Sequence, residues 1–221
     1  MCQVSVNTID EFDSVRQFLN SACAGDVDAM RTQATAGFDC NSIDQFDRPL
    51  LEIIIGDLEF VPNIPKYEVV QEMLRLGANV RQLNSDGLGP LFAAVLNMDT
   101  EMLRILLDAG ADPNLEMESD SIETLLDWAL WDYRYEIWHC SEVICEPDDD
   151  YEVDYWSHAD LRLRHLDRLA VKYAKRRPDH LLLLRERGAL TIYEVVHGKA
   201  SEGLCLASSD AIDAPLADDK D

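Results

Sequence analysis

The side chains best suited to chemistry lie between residues 121 and 160. Four of them are of types that bind zinc: His139, Cys140, Cys145 and His158. Their spacing matches no closed zinc pattern. Residues 148–159 resemble a calcium loop in composition only, because the sixth and twelfth positions hold Val and Ala rather than Gly and Glu. We therefore interpret this run as a solvated acidic loop and predict neither a metal nor another cofactor.

No catalytic motif stands out elsewhere in the chain. The sequence contains neither a glycine-rich phosphate loop nor a Gly-x-Ser-x-Gly nucleophile elbow. His165 and His180 fall on predicted helices, where a structural or exposed position is the simplest interpretation. We therefore predict that the protein is not an enzyme.

Aromatic side chains alternate with carboxylates in residues 121–160. This segment holds 12 acidic residues and 1 basic residue, whereas residues 161–190 hold 3 acidic and 9 basic residues. Two interpretations stay open: the acidic insert folds back and neutralises the basic helix, or it forms a hot-spot surface for a basic partner. Trp128 is in phase with Leu125 and is expected in the core. The candidate contact residues are Trp131, Tyr133, Tyr135, Trp138, Asp148, Asp149, Asp150, Tyr151, Tyr155 and Trp156.

The overall charge restricts the class of partner. The 221 residues include 43 acidic and 19 basic residues, for a net charge of −24. Such a field repels nucleic acid and anionic membranes and accelerates the encounter with a basic protein. We therefore expect a basic protein partner, no direct nucleic acid binding and no membrane association.

The compartment follows from the cysteines and from the hydropathy of the chain. Six cysteines are scattered along the sequence, which is typical of free thiols in a reducing compartment. No secretory signal is recognised in the first twenty residues, and no apolar run approaches the roughly 18 residues of a membrane span. We expect a cytoplasmic protein that is monomeric when unbound.

Residues 84–114 predict one helix-turn-helix unit. Asp86 and Gly87 form a turn signal, and Pro90 suits the first turn of a helix. A second apolar helical face follows, and Gly110 stands where a left-handed residue ends a helix. Two such short helices cannot bury their apolar faces alone, so the unit requires stacked neighbours.

Echoes of this unit occur along the chain. The Gly-Ala-Asp-Pro-Asn sequence at 110–114 is echoed at 37–41, 77–80 and 188–190, and Gly77 precedes Gly110 by one period of 33 residues. From about residue 12 to residue 190 the chain resembles the ankyrin repeat family, whose unit is a β-turn followed by two antiparallel helices. The Thr-Pro-Leu-His position of the family is occupied at 48–51, 89–92 and 123–126, in each case without the His.

The resemblance implies an all-α ankyrin-repeat solenoid with a long acidic insertion and a disordered acidic tail. Residues 1–11 are a lead-in, residues 12–206 are the repeat domain and residues 207–221 are the tail. The interval from Gly110 to Gly188 exceeds one period by 45 residues. Either one repeat carries a long insertion or a degenerate fourth repeat precedes a fifth, and we adopt the second division. The predicted repeats are 12–43, 44–82, 83–115, 116–160 and 161–200.

The helix signals within these repeats are local. They predict helices over 12–23, 27–35, 50–55, 67–76, 123–131, 159–173, 180–187 and 191–197, together with the two helices of the third repeat. Asp179 is expected to cap the helix at 180–187, and two prolines interrupt any helix within residues 56–65.

The family resemblance implies a binding module that contacts proteins through loop tips and the inner face of the first helices. The matching positions of the third repeat are Leu96 and Asn97, with the loop tip at 83–88. Combined with the charge, this suggests an inhibitor of a basic protein, for example an immunity protein that neutralises a nucleic-acid-cleaving toxin. The alternatives are a DNA-mimic inhibitor of a DNA-binding or defence protein, or a generic ankyrin scaffold.

Overall fold

A computed structural model describes residues 7–114, 116–117, 123–136 and 158–198, with side chains from residue 12 onward except at 116–117. The predicted tail, most of the lead-in and the centre of the insertion lie outside the described residues. The helices, in chain order, are α1 Asn7–Cys23, α2 Val27–Thr35, α3 Leu50–Leu58, α4 Lys66–Arg75, α5 Pro90–Leu96, α6 Thr100–Asp108, α7 Leu125–Arg134, α8 Ala159–Lys172, α9 Asp179–Glu186 and α10 Ile192–His197. A short hairpin pairs β1 Glu116–Met117 with β2 Glu123–Thr124 in antiparallel register.

The helices stack in two parallel rows. The first helices α1, α3, α5 and α7 contact one another in that order, and the second helices α4, α6 and α9 do the same. Each first helix also packs on a second helix of its own unit. One contiguous core runs through these units and includes Phe18, Ile54, Leu106 and Leu130, which are fully buried. The predicted all-α fold of stacked helix pairs is confirmed.

The turns explain why the helices end where they do. Gly77, Gly110 and Gly188 follow the second helices with φ angles of 95°, 94° and 90°, a region that glycine adopts at little cost. The left-handed residue expected at Gly110 is therefore confirmed. Asp99 starts α6, and its side chain accepts a hydrogen bond from the Met102 backbone N–H at 3.0 Å.

Most of the local helix predictions agree with these bounds to within three residues, but α1 begins five residues before its predicted start and α3 continues to Leu58, into the segment predicted to be interrupted. A further correction concerns α9. The helix begins at Asp179 itself, and Pro178 occupies the N-cap position without a side-chain hydrogen bond. Asp179 is therefore in the first turn, where its charge favours the helix dipole, and it is not the cap. Within the described residues, no helix is long and apolar enough to cross a membrane.

The division of the C-terminal half into two repeats is wrong in its helix pairing. α7 packs on α5 and on α9, and α9 packs on α6. The fourth helix pair is therefore α7 with α9, and α8 belongs to an insertion between them. This is the alternative of one repeat with a long insertion, and it arises because α9 continues the row of second helices.

A ladder of polar side chains ties neighbouring units together. Asn41, Arg81 and Asn114 occupy equivalent positions in three successive units. Each donates a hydrogen bond to the carbonyl of the turn glycine of the next unit, at 3.1 Å to Gly77, 2.6 Å to Gly110 and 3.3 Å to Gly188. The side chains of Asn41 and Asn114 also accept backbone N–H bonds from the next unit, at 2.6 Å and 2.7 Å. Since Asn114 contacts Gly188 directly, the ladder independently places α9 in the unit after Asn114.

The insertion helix and the last helix cover the C-terminal end of the stack. α8 packs on α9, and the backbone N–H of Ile192 at the start of α10 donates to the Asp127 carboxylate of α7 at 2.7 Å. The Arg185 guanidinium, which is largely buried, joins both covering helices through Asp160 of α8 and Glu194 of α10, each at 2.6 Å. The insertion therefore supplies part of the cap that a repeat stack requires.

Candidate protein-binding surface

The second, third and fourth repeats each contribute a loop tip and a first helix to one surface, here called the first-helix surface, and each loop tip is numbered by its repeat. The surface comprises residues 43–58, 83–96, 116–117 and 123–134. The second and third loop tips share one geometry. The Asp44 carboxylate accepts the backbone N–H groups of Phe46 and Arg48, and the Asn84 side-chain oxygen accepts those of Asp86 and Leu88, all at 2.9 Å. These side chains fix the turns and leave the residues between them at the tips.

The negative charge of the repeats is concentrated on the first-helix surface. Its residues include nine acidic and two basic side chains. The second helices α2, α4, α6 and α9 include seven acidic and five basic side chains. The excess of carboxylates therefore lies on the side of the stack that carries the loop tips.

Ion pairing reinforces this difference. The five basic residues of the second helices, Arg31, Lys66, Arg75, Arg104 and Arg185, all form ion pairs. On the first-helix surface, Arg48 pairs with Asp44 at 2.8 Å. The carboxylates of Asp47, Asp57, Asp86 and Glu123 on this surface are exposed and therefore accessible to a cationic partner.

The best example of neutralised charge on the other side is Glu72. Its buried carboxylate accepts bonds from Arg31 at 2.7 Å and 2.9 Å and from Arg75 at 3.0 Å. The Arg31 guanidinium holds the pKa of Glu72 below its usual value. This pair joins α2 to α4 and stabilises the stack without contributing free charge.

Three carboxylates from different elements meet near the second and third loop tips. Burial raises the pKa of Glu52 on α3, and the neighbouring charges of Asp44 and Asp86 raise it further. Arg48 and a 3.1 Å hydrogen bond from the Asn84 amide act in the opposite direction. Burial is the largest cause of the raised pKa, so a further cation docked beside Glu52 would favour its charged form.

Exposed aromatic and apolar side chains accompany the carboxylates. Trp131 is 59% exposed and Tyr135 is 47% exposed, and their rings stack with centroids 5.5 Å apart. Leu96 is also exposed, and Asn97 is half-buried. One turn earlier on the same helices, Phe92 and Trp128 are in contact, with centroids 4.6 Å apart. Leu96 and Trp131 therefore each lie about one turn beyond this contact on the neighbouring helices α5 and α7.

Tyr133 is a correction to the predicted contact set. Its side chain is fully buried, its ring lies 5.6 Å from that of His180, and its hydroxyl donates to the Arg176 carbonyl. Burial raises the pKa of the Tyr133 hydroxyl and lowers that of His180 to about 3. Tyr133 thus belongs to the core that anchors the end of the insertion, because α7 directs it away from Trp131.

The other predicted contact residues are not tested by the structure. Trp128 lies partly buried against the core, as the periodicity predicted. The following candidates lie outside the described residues: Trp138, Asp148, Asp149, Asp150, Tyr151, Tyr155 and Trp156. In the described part of the chain, no group of three or more His, Cys, Asp or Glu side chains is arranged to hold a metal ion.

Two exposed aromatic residues were missed by the sequence analysis. Phe46 stands at the second loop tip with the Arg48 guanidinium 5.6 Å from its ring centroid, and Phe60 at the end of α3 is 83% exposed. The sequence feature that could have identified Phe46 is its position inside the Asp-x-x-x-Arg turn. This turn is equivalent to the turn at the third loop tip. The net charge of long sequence segments also concealed the acidic loop tips, because each segment includes the basic residues of the neighbouring second helices.

Comparison with known proteins agrees with the geometry. Residues 86–117 match the family model of the ankyrin repeat, and these residues contain the third loop tip, α5, α6 and the ladder residue Asn114. The chain therefore contains an ankyrin repeat at these residues, and its stacked helix pairs form an ankyrin-like fold. A search of the curated proteins finds no match to the chain. Ankyrin repeats form modules for protein–protein interaction, and the matched repeat supports a role of this general kind.

Proposed function

We propose that this protein binds a basic protein through its first-helix surface and inhibits it. The observation that carries the proposal is the segregation of charge: nine acidic and two basic residues on the first-helix surface, against paired charges on the second helices. A surface of this kind speeds the approach of a cationic partner and disfavours partners of like charge.

The exposed ring pair supports a protein as the partner. Trp and Tyr dominate the energetics of protein interfaces because they bury large areas with few rotatable bonds. Trp131 and Tyr135 lie at the end of α7, beside Leu96, and the acidic loop tips lie at the other end of the first helices. Apolar anchors and a carboxylate field together fit a folded protein with a cationic active site.

The partner class that fits best is a nucleic-acid-cleaving toxin, for which this protein would act as the cytoplasmic immunity protein. Such a toxin must present positive charge to bind phosphates, and carboxylates that cover this charge block substrate entry. The candidate residues of the insertion extend the surface in this proposal: Trp138, Asp148, Asp149, Asp150, Tyr151, Tyr155 and Trp156.

The test compares two charge variants with the same net charge. Asp57→Lys with Asp86→Lys changes the first-helix surface, whereas Glu68→Lys with Glu186→Lys changes exposed positions on second helices. Captures from the native lysate are expected to retain a basic protein with the wild type and the second variant, and to lose it with the first. Equal retention by both variants, or binding insensitive to salt, contradicts the proposal.

A third variant separates the insertion from the repeats. Replacing residues 135–156 by a short Gly/Ser linker leaves the loop tips and Leu96 unchanged. Loss of the partner in this variant assigns the principal contacts to the insertion, whereas retention assigns them to the first-helix surface. If the captured protein binds DNA without cleaving nucleic acid and is displaced from DNA by the wild type, the function is that of a DNA mimic.

A further inference from the structure

The outward side of α8 carries a row of basic residues that the fold does not use. Arg164, Arg168 and Lys172 follow one another at intervals of four residues, and all three are exposed. The opposite side of the helix is buried through Ala159, Leu163, Leu166 and Ala170. Residues four apart lie on one side of a helix, so the three charges form a single stripe.

The charges of this stripe are not neutralised within the described part of the chain. Arg164 and Arg168 take part in no hydrogen bond or ion pair there, and the Lys172 ammonium lies 5.1 Å from the centroid of the Tyr173 ring. Neighbouring basic residues of the insertion do have partners, since Arg177 binds Asp167 at 2.7 Å and the Arg176 side chain donates to the Met98 carbonyl at 2.7 Å. The protein has a net charge of −24, and yet none of the carboxylates that the structure describes pairs with Arg164 or Arg168.

An exposed apolar residue flanks the stripe. Val171 is 63% exposed and lies between Arg168 and Lys172, next to the half-exposed Tyr173. A solubilising cap would place a polar residue there. A cationic stripe flanked by an exposed apolar residue near its end is instead typical of a surface that holds a peptide chain of opposite charge.

We propose that the outward side of α8 binds an extended acidic peptide segment of a partner protein. The stripe from Arg164 to Lys172 extends about 12 Å along the helix, with one charge about every 6 Å. In an extended chain, alternate residues are about 6.6 Å apart and point to the same side. The matching ligand therefore carries carboxylates at alternate positions, which face the stripe, while the intervening side chains point away from the helix. This inference is independent of the proposed function, because α8 lies outside the first-helix surface.

The test uses synthetic peptides and the full chain. A fluorescein-labelled nine-residue peptide with Asp at every second position and Val at one intervening position is titrated with the protein, and fluorescence anisotropy is measured. A second peptide has the same composition with Asp at positions 1, 4, 5, 8 and 9, so that the carboxylates on one side are about 13 Å apart. The wild type is expected to bind the alternating peptide at least fivefold more tightly, because only that peptide places three carboxylates against the three basic residues of the stripe.

A matched pair of protein variants completes the experiment. Arg164→Glu with Arg168→Glu reverses the stripe, whereas Arg16→Glu with Arg104→Glu makes the same change in net charge at exposed sites on α1 and α6. The stripe variant is expected to lose at least tenfold in affinity, and the control less than threefold. Equal losses in both variants overturn the proposal, and so does a failure of the wild type to bind. Binding that occurs only after residues 146–154 are replaced by Gly/Ser also overturns it, because the chain's own acidic segment would then be the occupant.

Discussion

The substitution Asn114→Ala tests whether α7 and α9 form one repeat. Asn114 donates to the Gly188 carbonyl at 3.3 Å and accepts the Leu190 backbone N–H at 2.7 Å. Each hydrogen bond contributes about 1 kcal/mol net, so the loss of both reduces the free energy of unfolding by about 2 kcal/mol. For a chain of this size, this corresponds to a decrease of about 4–8 °C in Tm.

The equivalent ladder positions supply the controls. Asn41→Ala also removes two bonds, at 3.1 Å and 2.6 Å, and should cost about the same. Arg81→Ala removes only the exposed bond of 2.6 Å to Gly110 and should cost about 1 kcal/mol or less. Urea unfolding with a global fit of the slope measures all three variants.

One pattern of results would refute the reasoning. If Asn114→Ala unfolds like the wild type while Asn41→Ala is destabilised, the turn at Gly188 does not follow Asn114 in the stack. The pairing of α7 with α9 would then be incorrect, and the repeat would have to be completed by α8 instead.

Three further predictions concern the core pairs and the exposed ring. Glu72→Gln should reduce the free energy of unfolding by about 1.5 kcal/mol at pH 7, because it removes the charge that Arg31 binds. Since the pKa of Glu72 is lowered in the folded state, the stabilisation by its carboxylate is present above the unfolded pKa and is lost as the pH falls below it. The difference in stability between the wild type and the variant should therefore be smaller in urea unfolding at pH 3. His180 is held neutral with a pKa of about 3, so its contribution is lost as the pH falls from about 6.5 towards 3. Between pH 7.5 and pH 5 the wild type should lose about 2 kcal/mol more than His180→Leu, and equal losses would show that the ring is accessible to protons in the folded state. Trp131→Ala should change stability by less than about 0.5 kcal/mol, since the ring is exposed, but weaken capture of the basic partner; an unchanged capture would exclude Trp131 as an anchor.

The helices of this protein were predictable because their signals are local. The bounds of α2 agree with the predicted 27–35, and α8 differs from the predicted 159–173 by one residue. Apolar spacing, prolines and turn glycines act within a few residues of the chain, so they can be recognised without knowledge of the neighbours. The same holds for the turn at Gly110, where the positive φ was expected.

The pairing of helices was not predictable in the same way. α9 joins the row of second helices although 44 residues separate it from α7. The sequence of α8 has as good an apolar stripe as α9, and periodicity does not say which of two amphipathic helices packs on α6. That choice depends on the surface already formed by α6 and α7, to which residues distant in sequence contribute.

The candidate surface shows the same limit at the level of single residues. Trp131 and Tyr133 are two positions apart on α7 and therefore point in nearly opposite directions, so one is buried when the other is exposed. Both are large and amphipathic, and composition alone does not rank them. The structure buries Tyr133 because its hydroxyl reaches the Arg176 carbonyl, which returns from the far end of the insertion.

By itself, the sequence determined the class of fold, the positions of most helices, the turn glycines and the excess of negative charge. Only the tertiary structure decided that α9 completes the fourth repeat, that α8 covers the end of the stack, and that Glu52, Asp44 and Asp86 share one field. The physical reason is the range of the interactions. Helix periodicity and caps act over about four residues, whereas packing and Coulomb interactions act between side chains that the fold brings together from distant parts of the chain.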